Sequence, residues 1–141
     1  MELPIKIEGI MYAVKDGGVK FLILKRSPED GNFWQPLTGT LEEGESLKGC
    51  LLRELKEETG IEKVVKVSDE VWRFNWPKGN DVITEFVFGI ELYPDSEIAL
   101  DPKEHSDFGW CDFNEAVDML GRENNKKAFE IFYNKLQSEV L

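Results

Sequence analysis

The sequence has few features that would suit it to an oxidising compartment, a membrane or a nucleic acid. It has two cysteines, Cys50 and Cys111, which form no CxxC pair, so no disulfide framework is expected. No signal peptide is recognisable, and no apolar run approaches the roughly 20 residues that span a bilayer. Basic residues number 17 against 28 acidic ones, which leaves a net charge of −11. We therefore expect a cytoplasmic protein that binds neither nucleic acid nor membrane.

The sequence does contain enough apolar material for one folded domain. Hydrophobic residues make up 41% of the 141 positions and aromatic residues 11%, a composition typical of a folded core and not of disorder. We expect a single domain over residues 1–141. An acidic protein can still bind a phosphate-rich small molecule, but metal cations are then needed between the two.

The predicted elements alternate in a way that indicates a layered fold. β-Prone segments bounded by turn residues predict strands over 5–14, 19–26, 64–76, 81–92 and 108–113. Helical spacing and capping residues predict helices over 46–59, 114–120 and 123–140. The last helix carries an apolar stripe of Phe129, Phe132, Leu136 and Val140. This order predicts an α/β fold in which a mixed sheet lies between helices.

Glutamates crowd the end of the first predicted helix, where the helix dipole opposes them. Glu54, Glu57 and Glu58 lie in the last turn before Gly60. At about 100° per residue, Glu54 and Glu58 continue the stripe of the preceding leucines, and Glu57 lies just beyond its edge. Each like-charged pair costs about 0.2–0.5 kcal/mol even on an exposed helix. Either these groups take up protons or cations lie among them, and carboxylates are ligands that Mg²⁺ and Mn²⁺ prefer. We favour a metal site over a solvated acidic face.

The glutamates belong to a longer pattern that is specific to one family. The stretch "GTLEEGESLKGCLLRELKEETGI" runs from Gly39 to Ile61. It matches G-x5-E-x7-R-E-U-x-E-E-x-G-U, with U aliphatic, at every position of that signature. The chain thereby resembles the Nudix hydrolases. The flanking segments "FWQPLTGTLEEGE", "TEFVFGI" and "EHSDFGW" resemble the dihydroneopterin triphosphate pyrophosphatase branch, although Glu-His-x-x-x-x-Trp also occurs in diadenosine polyphosphate hydrolases.

The resemblance implies an α/β/α sandwich around a mixed β-sheet and a metal-dependent attack of water on a diphosphate linkage. It implies that Glu54, Glu57 and Glu58 bind Mg²⁺, with Mn²⁺ as an alternative. Arg53 would orient the catalytic glutamates. Glu45 would support the site, either through a metal-bound water or by holding Arg53.

A general base is also required, and the resemblance leaves its identity open. Glu104, in "KEHSD", is a candidate base or additional metal ligand, with an ordinary surface glutamate as the alternative. The adjacent His105 is the only histidine, and a structural role is expected for it more than a catalytic one. Glu85 lies on a strand where the family also has glutamate, and it faces either the ligand or the core.

Four residues are candidates for substrate binding. Arg26 ends a predicted strand where relatives often bind phosphate, although a solvated strand end is the alternative. Trp34 either stacks on a flat heterocycle or packs on the core, and Gln35 is a candidate to read a ring edge. Gly39 would let the backbone approach metal or phosphate closely.

The aromatic residues Trp72, Phe74 and Trp76 alternate on one predicted strand and therefore share a face. Core packing is the default interpretation of such a stripe, and an aromatic rim of a binding site is the alternative.

The resemblance implies a small di- or triphosphate substrate. Dihydroneopterin triphosphate, cleaved to the monophosphate and pyrophosphate in folate or pterin synthesis, is the first choice. A (deoxy)nucleoside triphosphate or a diadenosine polyphosphate is the alternative. A rival of another class is a Nudix-fold module that binds a nucleotide without cleaving it, but such modules usually have a broken signature. The sequence does not predict the oligomeric state.

Overall fold

The structure is a computed structural model that describes residues 3–139. The strands are β1 (Ile5–Lys15), β2 (Gly18–Arg26), β3 (Trp34–Gln35), β4 (Leu37–Thr40), β5 (Lys66–Val67), β6 (Trp72–Lys78), β7 (Asp81–Glu91) and β8 (His105–Cys111). The α-helices are α1 (Leu47–Thr59), α2 (Phe113–Met119) and α3 (Glu123–Glu139), and a short 3₁₀ turn covers Pro28–Asp30.

The strands form one mixed sheet with β1 at its centre. β1 runs parallel to β7 on one side, and on the other side it pairs antiparallel with β4 and then with β2. β8 extends the sheet antiparallel to β2, and β6 extends it antiparallel to β7. The predicted mixed sheet is therefore confirmed. β2 and β4 pair with neighbouring parts of the same edge of β1. The chain that connects β2 to β4 therefore lies where these two strands separate from each other.

Apolar residues alternate along the strands and pack against helices on both faces of the sheet. Ile7 and Met11 of β1 pack toward α1, whereas Ile10 and Tyr12 pack toward α2 and α3. This period of two is what burial on both faces of a strand requires. The predicted α/β/α sandwich is confirmed.

The ends of α1 are fixed by its capping residues, as the sequence predicts. The Ser46 side chain accepts a hydrogen bond from the Gly49 amide at 3.0 Å. At the other end, Gly60 has φ of 75° and donates its amide hydrogen to the Lys56 carbonyl, a left-handed conformation that glycine adopts readily. The helix therefore stops directly after its glutamates and presents them at the edge of the sheet.

Two predicted strands differ from the structure by more than one residue at an end. The segment predicted as one strand over 64–76 is divided into β5 and β6. The closing strand, predicted over 108–113, begins earlier at His105 and ends at Cys111. It ends there because Asp112 caps α2, accepting a hydrogen bond from the Glu115 amide while the Glu115 side chain accepts from the Asp112 amide.

The helices cover the sheet through one apolar face each. In α3, Phe129 and Phe132 are buried and Leu136 packs against the same cluster, whereas Val140 lies outside the described residues. None of the helices within residues 3–139 is long and apolar enough to cross a membrane.

Candidate active site

Arg53 is the centre of a hydrogen-bonded cluster at the inner side of α1. Its Nε donates to Glu45 Oε2 at 2.6 Å, and its Nη2 donates to Glu45 Oε1 and to the Thr40 carbonyl, each at 3.1 Å. Its Nη1 donates to Glu54 Oε1 at 2.8 Å and to Glu57 Oε2 at 3.2 Å. One guanidinium therefore fixes three glutamates of the signature and ties them to the end of β4. Of the two supports proposed for Glu45, the structure displays the direct bond to Arg53.

The pKa values of two glutamates in this cluster are shifted in opposite directions. Hydrogen bonds from Arg53 lower the pKa of Glu45 to about 2. Burial raises the pKa of Glu54, and the nearby Glu57 and Glu104 add to this effect while Arg53 opposes it. Glu45 is thus a firmly ionised anchor, whereas Glu54 carries electrostatic strain that a cation would relieve.

The exposure of the three α1 glutamates follows their positions on the helical wheel. The side chain of Glu57 is 54% exposed, that of Glu54 is 13% exposed and that of Glu58 is 4% exposed. The two glutamates in line with the leucine stripe are therefore the buried ones, and the third lies at the rim.

Gly39 leaves room for Glu54. A Cβ atom at Gly39 would overlap the Cγ and carboxyl carbon of the Glu54 side chain. Gly39 lies on β4, opposite Ile7 of β1, so the backbone itself has little freedom to move away. The space expected for metal or phosphate next to Gly39 is thus occupied in part by the Glu54 carboxylate.

Glu58 is joined to Gln35 through the ring of His105. His105 Nδ1 lies 2.8 Å from Glu58 Oε2, and His105 Nε2 lies 3.0 Å from Gln35 Nε2. An amide nitrogen only donates, so His105 Nε2 accepts and Nδ1 carries the proton donated to Glu58. Burial and then Arg26 lower the pKa of His105, which favours this neutral ring. Both ring nitrogens are engaged, so His105 acts as a link between Glu58 and Gln35.

Glu104 reaches the same spot from the loop before β8. Its pKa is raised to about 7, first by the hydrogen bond with Glu58, then by burial and by the Glu58 charge. Burial also raises the pKa of Glu58, and the charges of Glu54, Asp101 and Glu57 add to this increase. One oxygen each of Glu58 and Glu104 and one nitrogen of His105 lie within 4.8 Å of one another.

The donor set fits a hard divalent cation. Burial and the neighbouring carboxylates raise the pKa of Glu54, of Glu58 and of Glu104. A cation among these groups would therefore stabilise their ionised forms. Carboxylate oxygens are what Mg²⁺ and Mn²⁺ bind, in combination with water and phosphate. Since His105 is held by two hydrogen bonds, the glutamates are the residues that would hold the ion.

A cavity of about 460 Å³ opens in front of these carboxylates. Among the predicted site residues, its lining includes Arg26, Gln35, Gly39, Glu54 and Glu104. The structure thus brings together in one cavity residues that are separated by up to 78 positions in the chain (26 to 104).

A second cavity, of about 270 Å³, continues from the first on the α3 side of the sheet. The two cavities share Lys6, Arg26, Gln35 and Thr38 as lining residues. The aromatic side chains that line the second cavity are Phe33, Phe74 and Trp76. The strand stripe predicted as core therefore also forms a wall of a binding cavity, which is the alternative interpretation.

Of the four predicted substrate-binding residues, Trp34 is the one that lies outside both cavities. It packs against the apolar cluster between the sheet and α2, and it lines neither cavity. Its neighbour Phe33 lies in the second cavity instead. The structure therefore favours the core-packing alternative for Trp34, because adjacent residues of an extended segment point to opposite sides.

The sequence interpretation missed Lys6 and Arg122, which contribute positive charge to the second cavity. One signal was present at Lys6. In "IKIEGI", Lys6 and Glu8 occupy alternate positions of a strand whose next members on that face, Ile10 and Tyr12, are buried. Two charged residues in line with a core face indicate a binding cavity at the end of the core.

The family model of the NUDIX domain matches residues 8–132, and the chain belongs to that family. Its named relatives and its intact glutamate signature mark it as a Nudix hydrolase.

Several named proteins are similar to this chain. Dihydroneopterin triphosphate diphosphatase of Escherichia coli is 28% identical over 92% of this chain and 91% of its own length. RNA pyrophosphohydrolase of Nitratiruptor is 33% identical over 81% of this chain and 82% of its own length. A Myxococcus xanthus protein named octanoyltransferase is 37% identical over 91% of this chain, which spans only 38% of that protein.

Solved structures give the same fold. The Caenorhabditis elegans Ap4A hydrolase superposes with a TM-score of 0.84 at 20% identity, covering 95% of this chain and 98% of that one. The Escherichia coli dihydroneopterin triphosphate pyrophosphohydrolase superposes with a TM-score of 0.79 at 27% identity, covering 93% and 95%. The likeness to the dihydroneopterin triphosphate branch thus holds in both sequence and structure.

Proposed function

We propose that this protein is a Mg²⁺-dependent pyrophosphohydrolase that cleaves dihydroneopterin triphosphate to the monophosphate and pyrophosphate. The observation that carries the proposal is the cluster in which Arg53 holds Glu45, Glu54 and Glu57 beside a cavity that also contains Glu104. The similarity to dihydroneopterin triphosphate diphosphatase over 92% of the chain supports the choice of substrate.

Glu54, Glu57 and Glu58 would hold the metal ion. An ion held there would neutralise phosphate oxygens and favour ionisation of a water molecule, which is the chemistry that hydrolysis of a phosphoanhydride requires. Arg53 keeps Glu54 and Glu57 in fixed positions, so little reorganisation is needed when charge develops during the reaction. Mn²⁺ has similar ligand preferences and is the alternative ion.

Glu104 is the proposed acceptor of the proton from the attacking water. It lies on a loop, lines the cavity and is hydrogen-bonded to Glu58. A group that bridges the metal-binding helix and the cavity is positioned for such a transfer. His105 supports this arrangement by holding Glu58 from behind at 2.8 Å.

The two joined cavities suit a molecule with a phosphate chain at one end and a flat ring at the other. Lys6 and Arg26 line both cavities and would bind phosphate oxygens at their junction. The ring would then lie against Phe33, Phe74 and Trp76, because stacking on aromatic side chains is favourable for any flat heterocycle.

A (deoxy)nucleoside triphosphate or a diadenosine polyphosphate is the second candidate substrate. The aromatic wall favours stacking as such and does not by itself choose between a pterin and a nucleobase. The 20% identity with the Ap4A hydrolase supports the fold alone. The name octanoyltransferase belongs to a protein of which the chain spans 38%, so that name does not identify the activity of the matched part.

The proposal is tested by offering purified protein, with Mg²⁺ or Mn²⁺, a panel of pterin, nucleoside and dinucleoside phosphates. Released pyrophosphate and orthophosphate are measured separately. We expect pyrophosphate from dihydroneopterin triphosphate at the highest kcat/KM of the panel. Faster hydrolysis of a nucleotide would select the second candidate. No hydrolysis of any member, together with binding of one of them, would favour the non-catalytic module.

A further inference from the structure

A buried pair of carboxyl groups lies at the wall of the second cavity. Glu8 on β1 and Glu85 on β7 are diagonal neighbours on the α3 face of the sheet, because Lys6 pairs with Glu85 and Glu8 pairs with Val87. Glu8 is 0% exposed and Glu85 is 5% exposed. Glu85 lines the cavity, and its Oε1 accepts a hydrogen bond from Trp76 Nε1 at 3.0 Å.

Burial of two carboxyl groups side by side favours one proton shared between them. Among residues 3–139, no donor reaches either oxygen of Glu8 while both acids are ionised. Burial raises the pKa of Glu8 well above its ordinary value, and the Glu85 charge and a hydrogen bond with Glu85 add to this. Glu85 also has a raised pKa from burial, but Glu8, Trp76, Lys6 and Arg122 oppose the increase. Glu8 is therefore the neutral acid that donates, and Glu85 is the carboxylate that accepts.

The proposed function leaves this pair without a role. It lies on the opposite face of the sheet from α1 and the Arg53 cluster. Burying two acids lowers the stability of the folded state, and the Arg53 cluster gives no reason for that cost. Trp76 and Glu8 fix the Glu85 carboxylate by two hydrogen bonds, so it is rigid. A rigid carboxylate only accepts, and two parallel N–H groups on one ring edge are its best partner.

We propose that Glu85, held by Trp76 and Glu8, is the residue that selects the ring of the substrate, by accepting hydrogen bonds from a ring N–H and an adjacent amino group. This inference rests on the proposed function and specifies its substrate class. A 2-amino-4-oxopyrimidine edge, present in pterins and in guanine, offers those two donors side by side. Adenine presents a ring nitrogen acceptor next to its amino group, and uracil flanks its N–H with two carbonyl oxygens. Both would place a lone pair against the carboxylate, which disfavours them.

The test is binding of the ring compound without phosphates or metal. Dihydroneopterin, guanosine and adenosine are titrated into the metal-free protein and followed by NMR chemical shifts. We expect the wild type to bind dihydroneopterin and guanosine more tightly than adenosine. Glu85→Gln should lose this preference, with affinity for the first two reduced roughly 10- to 100-fold, because the amide replaces an acceptor by a donor. Equal preferences in wild type and Glu85→Gln would overturn the proposal, as would a wild type that prefers adenosine.

Two further variants keep the test specific. Glu91→Gln makes the same chemical change on the same strand, outside both cavities, and should leave the preference unchanged. Glu8→Gln retains a donor toward Glu85 and should therefore keep the preference, whereas its loss would contradict the positioning role of Glu8. Thermal unfolding of each variant shows whether it is folded.

Failure of this inference can be told apart from failure of the proposed function. If dihydroneopterin triphosphate is not hydrolysed but the ring preference depends on Glu85, the function fails and the inference stands. If the triphosphate is hydrolysed and Glu85→Gln leaves its KM unchanged, the inference fails and the function stands.

Discussion

The Arg53 cluster and the second cavity differ in how their residues are distributed along the chain. The acidic partners of Arg53, which are Glu45, Glu54 and Glu57, lie in one stretch of 13 residues (45 to 57). The second cavity is assembled from β1, β2, β3, β4, β6, β7, the loop before β3 and the start of α3. The comparison suggests that a compact segment supplies the chemistry and that distant strands supply the choice of ring.

The difference in chain distribution follows from the different requirements of metal binding and ring binding. Metal-binding carboxylates must keep fixed mutual distances, and neighbouring positions of one capped helix provide these without further support. A ring cavity needs flat walls and a few polar groups, which strands from different parts of the chain can provide in many ways.

The largest effect is expected from altering the exposed carboxylate of the Arg53 cluster. Glu57→Gln should lower kcat on the order of 100-fold or more, because an anionic metal ligand becomes a neutral amide. The side chain is 54% exposed, so the variant should remain folded. Steady-state kinetics with saturating Mg²⁺ provide the measurement. Glu130→Gln, on the outer face of α3, is the matched control and should behave as the wild type. Unchanged turnover in Glu57→Gln would contradict the ligand assignment.

A smaller loss of activity is expected when the carboxylates remain but Arg53, which holds them in place, is replaced. Arg53→Lys keeps the charge and loses the planar fork that reaches Glu45, Glu54 and Glu57 together. We expect kcat to fall about 10- to 100-fold while KM for the substrate changes little. An equal rise in KM with unchanged kcat would show that Arg53 acts on substrate binding instead.

Gly39→Ala is expected to give a loss of similar or smaller size. The added methyl group would overlap the Glu54 side chain and displace it from its place beside Arg53. The expected result is a reduced kcat together with a higher Mg²⁺ concentration for half-maximal activity. Gly44→Ala is a useful comparison for backbone strain: Gly44 has φ of 83° but nothing lies near its Cβ position. A weakened metal dependence in Gly44→Ala alone would contradict the steric explanation.

The smallest effect concerns the pH dependence of stability without metal. The folded pKa of Glu104, about 7, lies above the ordinary value of 4.5, so the folded state binds the proton more tightly than the unfolded state. Its contribution to stability is therefore fully present below the ordinary value of 4.5 and is lost as pH rises from 4.5 through about 7. We expect this contribution to lower the thermal midpoint in EDTA between about pH 4.5 and about pH 7, with little further change above that range.

Other groups titrate in the same range, so the Glu104 effect is measured as the difference between the wild type and Glu104→Gln. The raised pKa values of Glu54 and Glu58 also make the folded state more stable at lower pH, whereas the lowered pKa of His105 has the opposite effect below its ordinary value of 6.5. Differential scanning calorimetry of both proteins provides the measurement, and the stability of the wild type relative to the variant should decrease from about pH 4.5 to about pH 7. A relative stability that increases with pH over this range would contradict the raised pKa of Glu104.

The sequence predicted the Arg53 cluster closely and the second cavity only in fragments. Helical spacing alone separated the buried Glu54 and Glu58 from the exposed Glu57, because α1 is a regular helix whose caps fix its ends. The mixed sheet and its flanking helices followed from alternating apolar positions and from the resemblance. These features depend on local geometry that repeats along the chain.

The remaining features depend on contacts that no local pattern specifies. Phe33 and not Trp34 enters the second cavity, a choice made by the direction in which a two-residue strand faces. The closing strand starts at His105, which pairs with Arg26 of β2 and whose ring contacts Glu58, and both partners are distant in sequence. The pairing of Glu8 with Glu85 depends on the parallel register of β1 and β7.

One set of kcat/KM values tests most directly whether the Arg53 cluster and the second cavity have separate roles. Dihydroneopterin triphosphate, GTP and ATP are hydrolysed by the wild type, Glu57→Gln and Glu85→Gln under saturating Mg²⁺. Glu57→Gln should lower all three values in parallel, and Glu85→Gln should lower the pterin and guanine values relative to ATP. These results are expected if the Arg53 cluster supplies the chemistry and the second cavity selects the ring. That division of roles would be contradicted by a Glu57→Gln variant that changes the ratios among the three kcat/KM values, or by a Glu85→Gln variant that lowers all three equally.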